Sequence, residues 1–76
     1  MNIEALQKLL DQGQDSLLLR FGLAQALLKD GQTTEALTHL EKALEFDAGH
    51  SASLKLLGKA YTAAGDSNRA IEVYNN

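Results

Sequence analysis

The pair Gly58-Lys59 is the stretch most suggestive of chemistry, because a phosphate-binding loop offers free backbone amides and a lysine to a nucleotide. That motif needs a glycine five residues before the pair and a Ser or Thr after it. Ser53 and Ala60 hold those places instead, and the pair falls within a run of helical periodicity whose amides are already bonded. A phosphate loop is therefore rejected.

The remaining reactive residue types do not converge. His39 and His50 lie eleven residues apart with no cysteine in the chain, while metal ligation needs three or four donors together. Both histidines are read as solvated surface groups. Glu41, Glu45 and Asp47 have Lys42 among them and fall on the exposed side of a helix, which makes them a solvated face rather than an acid/base pair. Ser51 and Ser53 have only His50 nearby and are read as helix caps, not nucleophiles. No catalytic constellation is present in the sequence, and no cofactor is expected.

The elements that would carry these residues follow from composition and periodicity. Seventy-six residues make one small domain at most, or a piece of a larger one, and a chain of this size buries only about 60% of its unfolded surface. Apolar residues form 45% of the chain, too many for a disordered segment. Proline is absent and β-branched residues are few, so helix is favoured over strand. The net charge of −3 argues against a nucleic-acid surface, which normally has a cationic excess. The first residues, MNIEALQKLLDQGQD, do not form a signal peptide, and no apolar run approaches the length of a membrane span. No membrane partner is expected, and the expected location is cytoplasmic.

Gly and Asp punctuate the chain at 11–16, 29–34, 46–51 and 63–68, each time after about a dozen residues of helical pattern. Glycine fits a left-handed C-cap there, and Asp, Ser, Thr or Asn can cap the helix that follows. The spacing predicts five helices near 2–12, 16–29, 33–46, 51–63 and 67–75, with neighbours antiparallel because their connections are short. Residues 33–46 have one apolar stripe: Ala36, Leu37, Leu40, Ala43 and Leu44. Residues 17–30 are apolar nearly all round, so that helix is either covered on two sides or lines a groove.

The pattern repeats. A shift of 34 residues places Leu23 on Leu57, Ala26 on Ala60, Gly31 on Gly65 and Ala36 on Ala70. The same shift puts Leu6 on Leu40, Lys8 on Lys42 and Leu10 on Leu44, so an incomplete copy precedes the other two. A helix–turn–helix unit of this period resembles the tetratricopeptide repeat, whose pattern is W-x2-L-G-x2-Y, later A-x3-F, later P. The last unit reads Leu54-x2-Leu57-Gly58-x2-Tyr61 and then Ala70-x3-Tyr74. The middle unit reads Arg20-x2-Leu23-Ala24-x2-Leu27, then Ala36-x3-Leu40 and Ala43, with Ala48 in the proline place. Arg20 and Ala24 depart from the pattern, which implies looser helix packing in that unit.

The resemblance implies an all-α fold of antiparallel helix-turn-helix repeats, stacked as a short right-handed α-solenoid of about five helices. Residues 1–16 would be an N-terminal half-repeat or capping helix, 17–50 a repeat and 51–76 an incomplete repeat. Gly58 costs about 1 kcal/mol in a helix interior relative to Ala, so it is read as a packing glycine, with Leu57, Tyr61 and Tyr74 as core around it.

In this family the first helices of successive units line a concave groove that takes extended peptides, and here those helices are 16–29 and 51–63. Their outward sides carry Leu18, Phe21, Gln25, Leu28 and Lys29 on the first, and Ala52, Lys55, Lys59 and Thr62 on the second. One half is apolar and the other cationic. The expected partner is a protein or peptide with an apolar anchor beside an acidic segment or a free C-terminus, held by Lys55 and Lys59 through charge-assisted hydrogen bonds. The competing expectation has Phe21 and Leu28 covered by a neighbouring helix and the lysines as ordinary surface. The carboxylate clamp that some family members use on chaperone tails pairs its lysine with an asparagine, and Lys59 stands in that place. Chaperone-tail binding is therefore not expected.

The expected function is a non-enzymatic scaffold that binds protein or peptide. Its alternative is an accessory or regulatory domain of a larger enzyme or assembly. Met1 is read as a true start, and the last unit stops at Asn76, about eight residues short of a full repeat. A continuing natural chain is expected, or a homo-oligomer formed through the uncapped C-terminal end.

Overall fold

The structure is a computed structural model that describes residues 3–74, apart from the side chains of Ser67 and Tyr74. The readings placed on Met1, on Asn76 and on the Tyr74 side chain lie outside the described residues. Those residues form five helices and no strand: α1 (Ile3–Asp11), α2 (Leu17–Lys29), α3 (Thr33–Phe46), α4 (Ser51–Ala63) and α5 (Ser67–Tyr74). The fold is the all-α helical repeat that the 34-residue periodicity implies.

Three of the four corners share one backbone solution. Gly13, Gly31 and Gly65 have φ of 87°, 81° and 81°, the left-handed region that only glycine enters without a Cβ penalty. At each, the glycine amide donates to the carbonyl three residues back and the next amide to the carbonyl five residues back. Gly31 N–H thus reaches Leu28 O at 3.1 Å and Gln32 N–H reaches Leu27 O at 2.9 Å. Gly65 with Thr62 and Asp66 with Tyr61 repeat this at 3.1 and 2.8 Å. This is the Schellman closure, which satisfies the last carbonyls of a helix. The corner between α3 and α4 is different: Gly49 has no positive φ, and its amide donates to Asp47 Oδ1 at 3.0 Å.

The helix starts are less uniform than the sequence implies. Ser16 caps α2, its Oγ accepting from Leu19 N–H at 3.2 Å, and Asp66 Oδ1 accepts from Arg69 N–H at 3.2 Å at the start of α5. At α3, Gln32 holds the cap position and makes no side-chain cap bond, so Thr33 and Thr34 do not act as caps. At α4 the cap is His50 rather than Ser51 or Ser53.

The hairpins are α2 with α3 and α4 with α5, and α3 packs on α4 to join them. α1 lies against α2, and α2 touches α4 lightly. The main core is Ala24, Leu27, Ala36, Leu40, Leu57 and Ala60, with Leu6, Leu19 and Leu23 forming a second cluster under α1. Alanine at the crossings lets helix axes approach, while each buried leucine contributes about 1.5–3 kcal/mol. Helix α2 is thus covered from both sides, by α1 on one and by α3 with α4 on the other.

Arg20 replaces the bulky apolar wedge of the repeat pattern without loosening the unit. Its Nε and Nη2 donate to the two carboxylate oxygens of Asp15 at 2.8 and 2.9 Å, and its Nη1 lies 3.0 Å from His39 Nδ1 on α3. Ala24 is fully buried in the core. Gly58 is buried in α4, and its carbonyl accepts from Thr62 Oγ at 2.9 Å.

Candidate functional site

The side shared by α2 and α4 carries a cavity of about 160 Å³ lined by Gln25, Leu28, Lys29, Leu56 and Lys59. Leu28 and Leu56 give it an apolar floor, and the two lysines and Gln25 give it a polar rim. Helical spacing assembles it: Gln25, Leu28 and Lys29 lie within one turn of α2, and Leu56 and Lys59 are three residues apart on α4. A second cleft of about 400 Å³ lies between α1 and α2, lined by Ile3, Gly22, Gln25, Ala26, Lys29 and Asp30. Gln25 and Lys29 line both, so these two side chains form the ridge between them.

Four of the residues expected from sequence, Gln25, Leu28, Lys29 and Lys59, therefore meet around one cavity. The other five do not line it, among them Ala52, exposed in the first turn of α4. Leu18 is exposed at the start of α2. Phe21 is half-buried, packed on the core and set edge-on to His50 with ring centroids 5.7 Å apart. What covers Phe21 is thus a loop imidazole as well as the core. Lys55 is exposed one turn before Lys59, and the Thr62 hydroxyl donates within its own helix to Gly58 O. Leu56 was missed by sequence reasoning. Its spacing of three from Lys59 was the available signal, hidden because Leu54, Leu56 and Leu57 read alike as core.

The distribution of ion pairs is uneven. Arg20, Lys42 and Arg69 pair with Asp15, Glu45 and Asp66 at 2.8, 3.3 and 3.3 Å, all away from this cavity. Among the described residues, no carboxylate lies within 4 Å of Lys29, Lys55 or Lys59. The chain is acidic as a whole, yet three lysines free of carboxylates gather on one face.

Neither histidine is a solvated surface group. His39 is half-buried against Arg20, and burial, followed by the nearby guanidinium charge, holds its imidazole below the usual 6.5. The Arg20 hydrogen bond holds the Asp15 carboxyl below its ordinary 3.8. His50 Nδ1 lies 2.6 Å from Ser53 Oγ and accepts from Ser53 N–H at 3.3 Å. A serine hydroxyl on an imidazole is the geometry of a nucleophile and its base. Ser53, however, is fully buried, so its hydroxyl completes a helix cap and does not face a substrate. No cluster of three or more metal-ligating side chains occurs among the described residues, and no helix there is long and apolar enough to cross a membrane.

The comparisons with known proteins agree with this architecture. The tetratricopeptide repeat family model matches residues 27–76. The TPR repeat-containing protein PA0015 of Pseudomonas aeruginosa is 50% identical over 66 residues, covering 87% of this chain and 63% of the relative. The chain thus spans less than two thirds of that relative's length. No solved structure matches it. With the 34-residue period, the glycine-closed helical hairpins and these matches in hand, the chain belongs to the tetratricopeptide repeat family, whose members are generally non-catalytic modules of protein–protein interaction.

Proposed function

We propose that this chain is an interaction module that binds a segment of a partner protein along the face shared by α2 and α4. The units would be a half-repeat at 1–16, a repeat at 17–50 and an incomplete repeat at 51–76. The segment places an apolar side chain on the Leu28–Leu56 floor and an acidic side chain, or its own C-terminal carboxylate, beside Lys29 and Lys59. Gln25 supplies both a donor and an acceptor for the segment's backbone. Leu18, Phe21, Lys55 and Thr62 extend the contact surface along the two helices.

One observation carries this reading: the lysines around the apolar cavity lack carboxylate partners in a chain rich in carboxylates. Unpaired like charges on one face repel each other, and an acidic ligand relieves that repulsion while it gains charge-assisted hydrogen bonds. The test is titration of the ¹⁵N-labelled protein with a short acidic peptide bearing one leucine, alongside its Asp-to-Asn counterpart. Shifts centred on Gln25, Leu28, Lys29, Leu56 and Lys59 with the acidic peptide are expected. Shifts confined to residues outside 18–29 and 52–62 overturn the reading.

A further inference from the structure

The corner between α3 and α4 is bonded through side chains, and one of them is an imidazole whose Nδ1 accepts from the first turn of α4. We infer that His50 is a protonation-sensitive cap, which orders the first turn of α4 when neutral and releases it when charged. Through Phe21 it acts on the face proposed above for partner binding, so this coupling rests on that reading.

The argument starts from the hydrogen bonds. In the neutral ring with its proton on Nε2, the Nδ1 lone pair accepts from Ser53 N–H at 3.3 Å and from Ser53 Oγ–H at 2.6 Å. The Ser53 amide is one of the first donors of α4, with no partner inside the helix. Ser53 is fully buried, so water does not replace the imidazole as its acceptor. Protonation converts Nδ1 from acceptor to donor. The Nδ1–Oγ bond can survive by reversing its direction, but the Ser53 amide then faces an N–H. The new positive charge also sits at the N-terminus of α4, which already carries the positive end of the helix dipole.

In the last turn of α3, Glu45 is paired with Lys42 at 3.3 Å. From α2 the contact is the uncharged ring of Phe21. The first turn of α4 holds no acidic residue, and its nearest charged group is Lys55. In the turn itself, Asp47 uses Oδ1 to accept from Gly49 N–H and its backbone carbonyl to accept from His50 N–H at 3.2 Å. Among the described residues no carboxylate forms an ion pair with His50.

Phe21 transmits the event. Its ring stands at 84° to the imidazole, edge against face, and packs on the core beneath the α2–α4 side. When the imidazole moves off Ser53, Phe21 loses its outer wall. The α2–α4 face therefore loosens at one end while Gln25, Lys29 and Lys59, farther along both helices, keep their places.

The test follows the Ser53 amide, the Phe21 ring and the His50 imidazole by NMR from about pH 7.5 to about pH 5.5, across the ordinary histidine range. Wild type is compared with His50→Asn, whose amide oxygen caps a helix without titrating. The Ser53 amide is expected to shift, and to lose protection relative to its intrinsic exchange rate, with the same midpoint as the His50 ring, and both are expected to stay flat in His50→Asn. Affinity for the acidic leucine peptide is expected to fall several-fold on acidification in wild type only. A Ser53 amide and Phe21 ring indifferent to His50 titration overturn the cap switch. This within-protein comparison decides the matter even if His50→Asn does not fold. A responsive Ser53 amide with pH-independent peptide affinity overturns the coupling to the binding face. Absence of peptide binding at every pH overturns the proposed function, and leaves the Ser53 result to judge the switch alone.

Discussion

Arg20 on α2 places its Nη1 3.0 Å from His39 Nδ1 on α3 while Nε and Nη2 hold both carboxylate oxygens of Asp15. One guanidinium thereby ties the approach to α2 to the helix packed beside it. The contact is polar at a place where the repeat pattern has a bulky apolar side chain. Its planar fork suits this geometry, because it can bind a carboxylate with two donors and still present a third to the imidazole.

Arg20→Met is expected to destabilise the protein, since it leaves the half-buried His39 Nδ1 without its donor and abolishes a bidentate pair. Urea unfolding measures this directly. A midpoint equal to wild type would show that the bracket contributes nothing.

Acidification should weaken the fold in two stages. Because the folded His39 imidazole is held below 6.5, the unfolded chain takes up its proton first. The stability that this group contributes is complete above about 6.5 and is lost as the pH falls through the lowered folded value. Asp15, held below 3.8 by Arg20, acts in the same direction at lower pH, in the window beneath the ordinary carboxylate value. His39→Gln should flatten the first stage and Asp15→Asn the second. Stability profiles parallel to wild type in both variants would contradict these assignments.

The corner glycines give a contrast within one fold. At Gly31 and Gly65 an added Cβ would meet nothing within 4 Å, yet φ is 81° at both. Alanine there should cost about 1–2 kcal/mol through backbone strain alone, and by similar amounts at the two sites. Gly49 has ordinary φ and an added Cβ would rest 3.7 Å from Asp47 Oδ1, so Gly49→Ala should be neutral or stabilise by about 0.4–1 kcal/mol. Thermal melts of the three variants decide between backbone and packing as the origin of the glycines.

Charge reversal maps the binding face. Lys29→Glu and Lys59→Glu should each weaken an acidic peptide about fivefold, the equivalent of about 1 kcal/mol, and the loss should shrink as salt is raised. Lys42→Glu, whose lysine is already paired with Glu45, serves as the control away from the face. Equal losses in all three variants would indicate a non-specific effect of net charge.

Helix positions and the repeat were legible in the sequence because they rest on local rules. Gly31 and Gly65 recur after 34 residues, and a left-handed C-cap admits almost nothing but glycine. Half of the candidate face was also legible, because Gln25, Leu28 and Lys29 follow helical spacing. The interhelical contacts were not. His39 and His50 were read as solvent-facing because their partners, Arg20 and Phe21, lie nineteen and twenty-nine residues away in the chain. Leu56 was lost among neighbouring leucines, since composition alone does not say which of three adjacent apolar residues faces a cleft. Ser51 and Ser53 were read as caps, but the capping acceptor is His50, a residue type that propensity does not favour there, and Ser53 is the residue it caps.

The corners of this chain are of two kinds. Those at Gly13, Gly31 and Gly65 are closed by the main chain around a left-handed glycine. The corner at 47–50 adds substituents to its main-chain bonds: an aspartate, an imidazole and a buried hydroxyl. It is also the corner that joins one hairpin to the next. In any stack of hairpins an angular change at such a joint is carried to everything beyond it. A substitution at this joint is therefore expected to change the angle between the hairpins while leaving each hairpin intact.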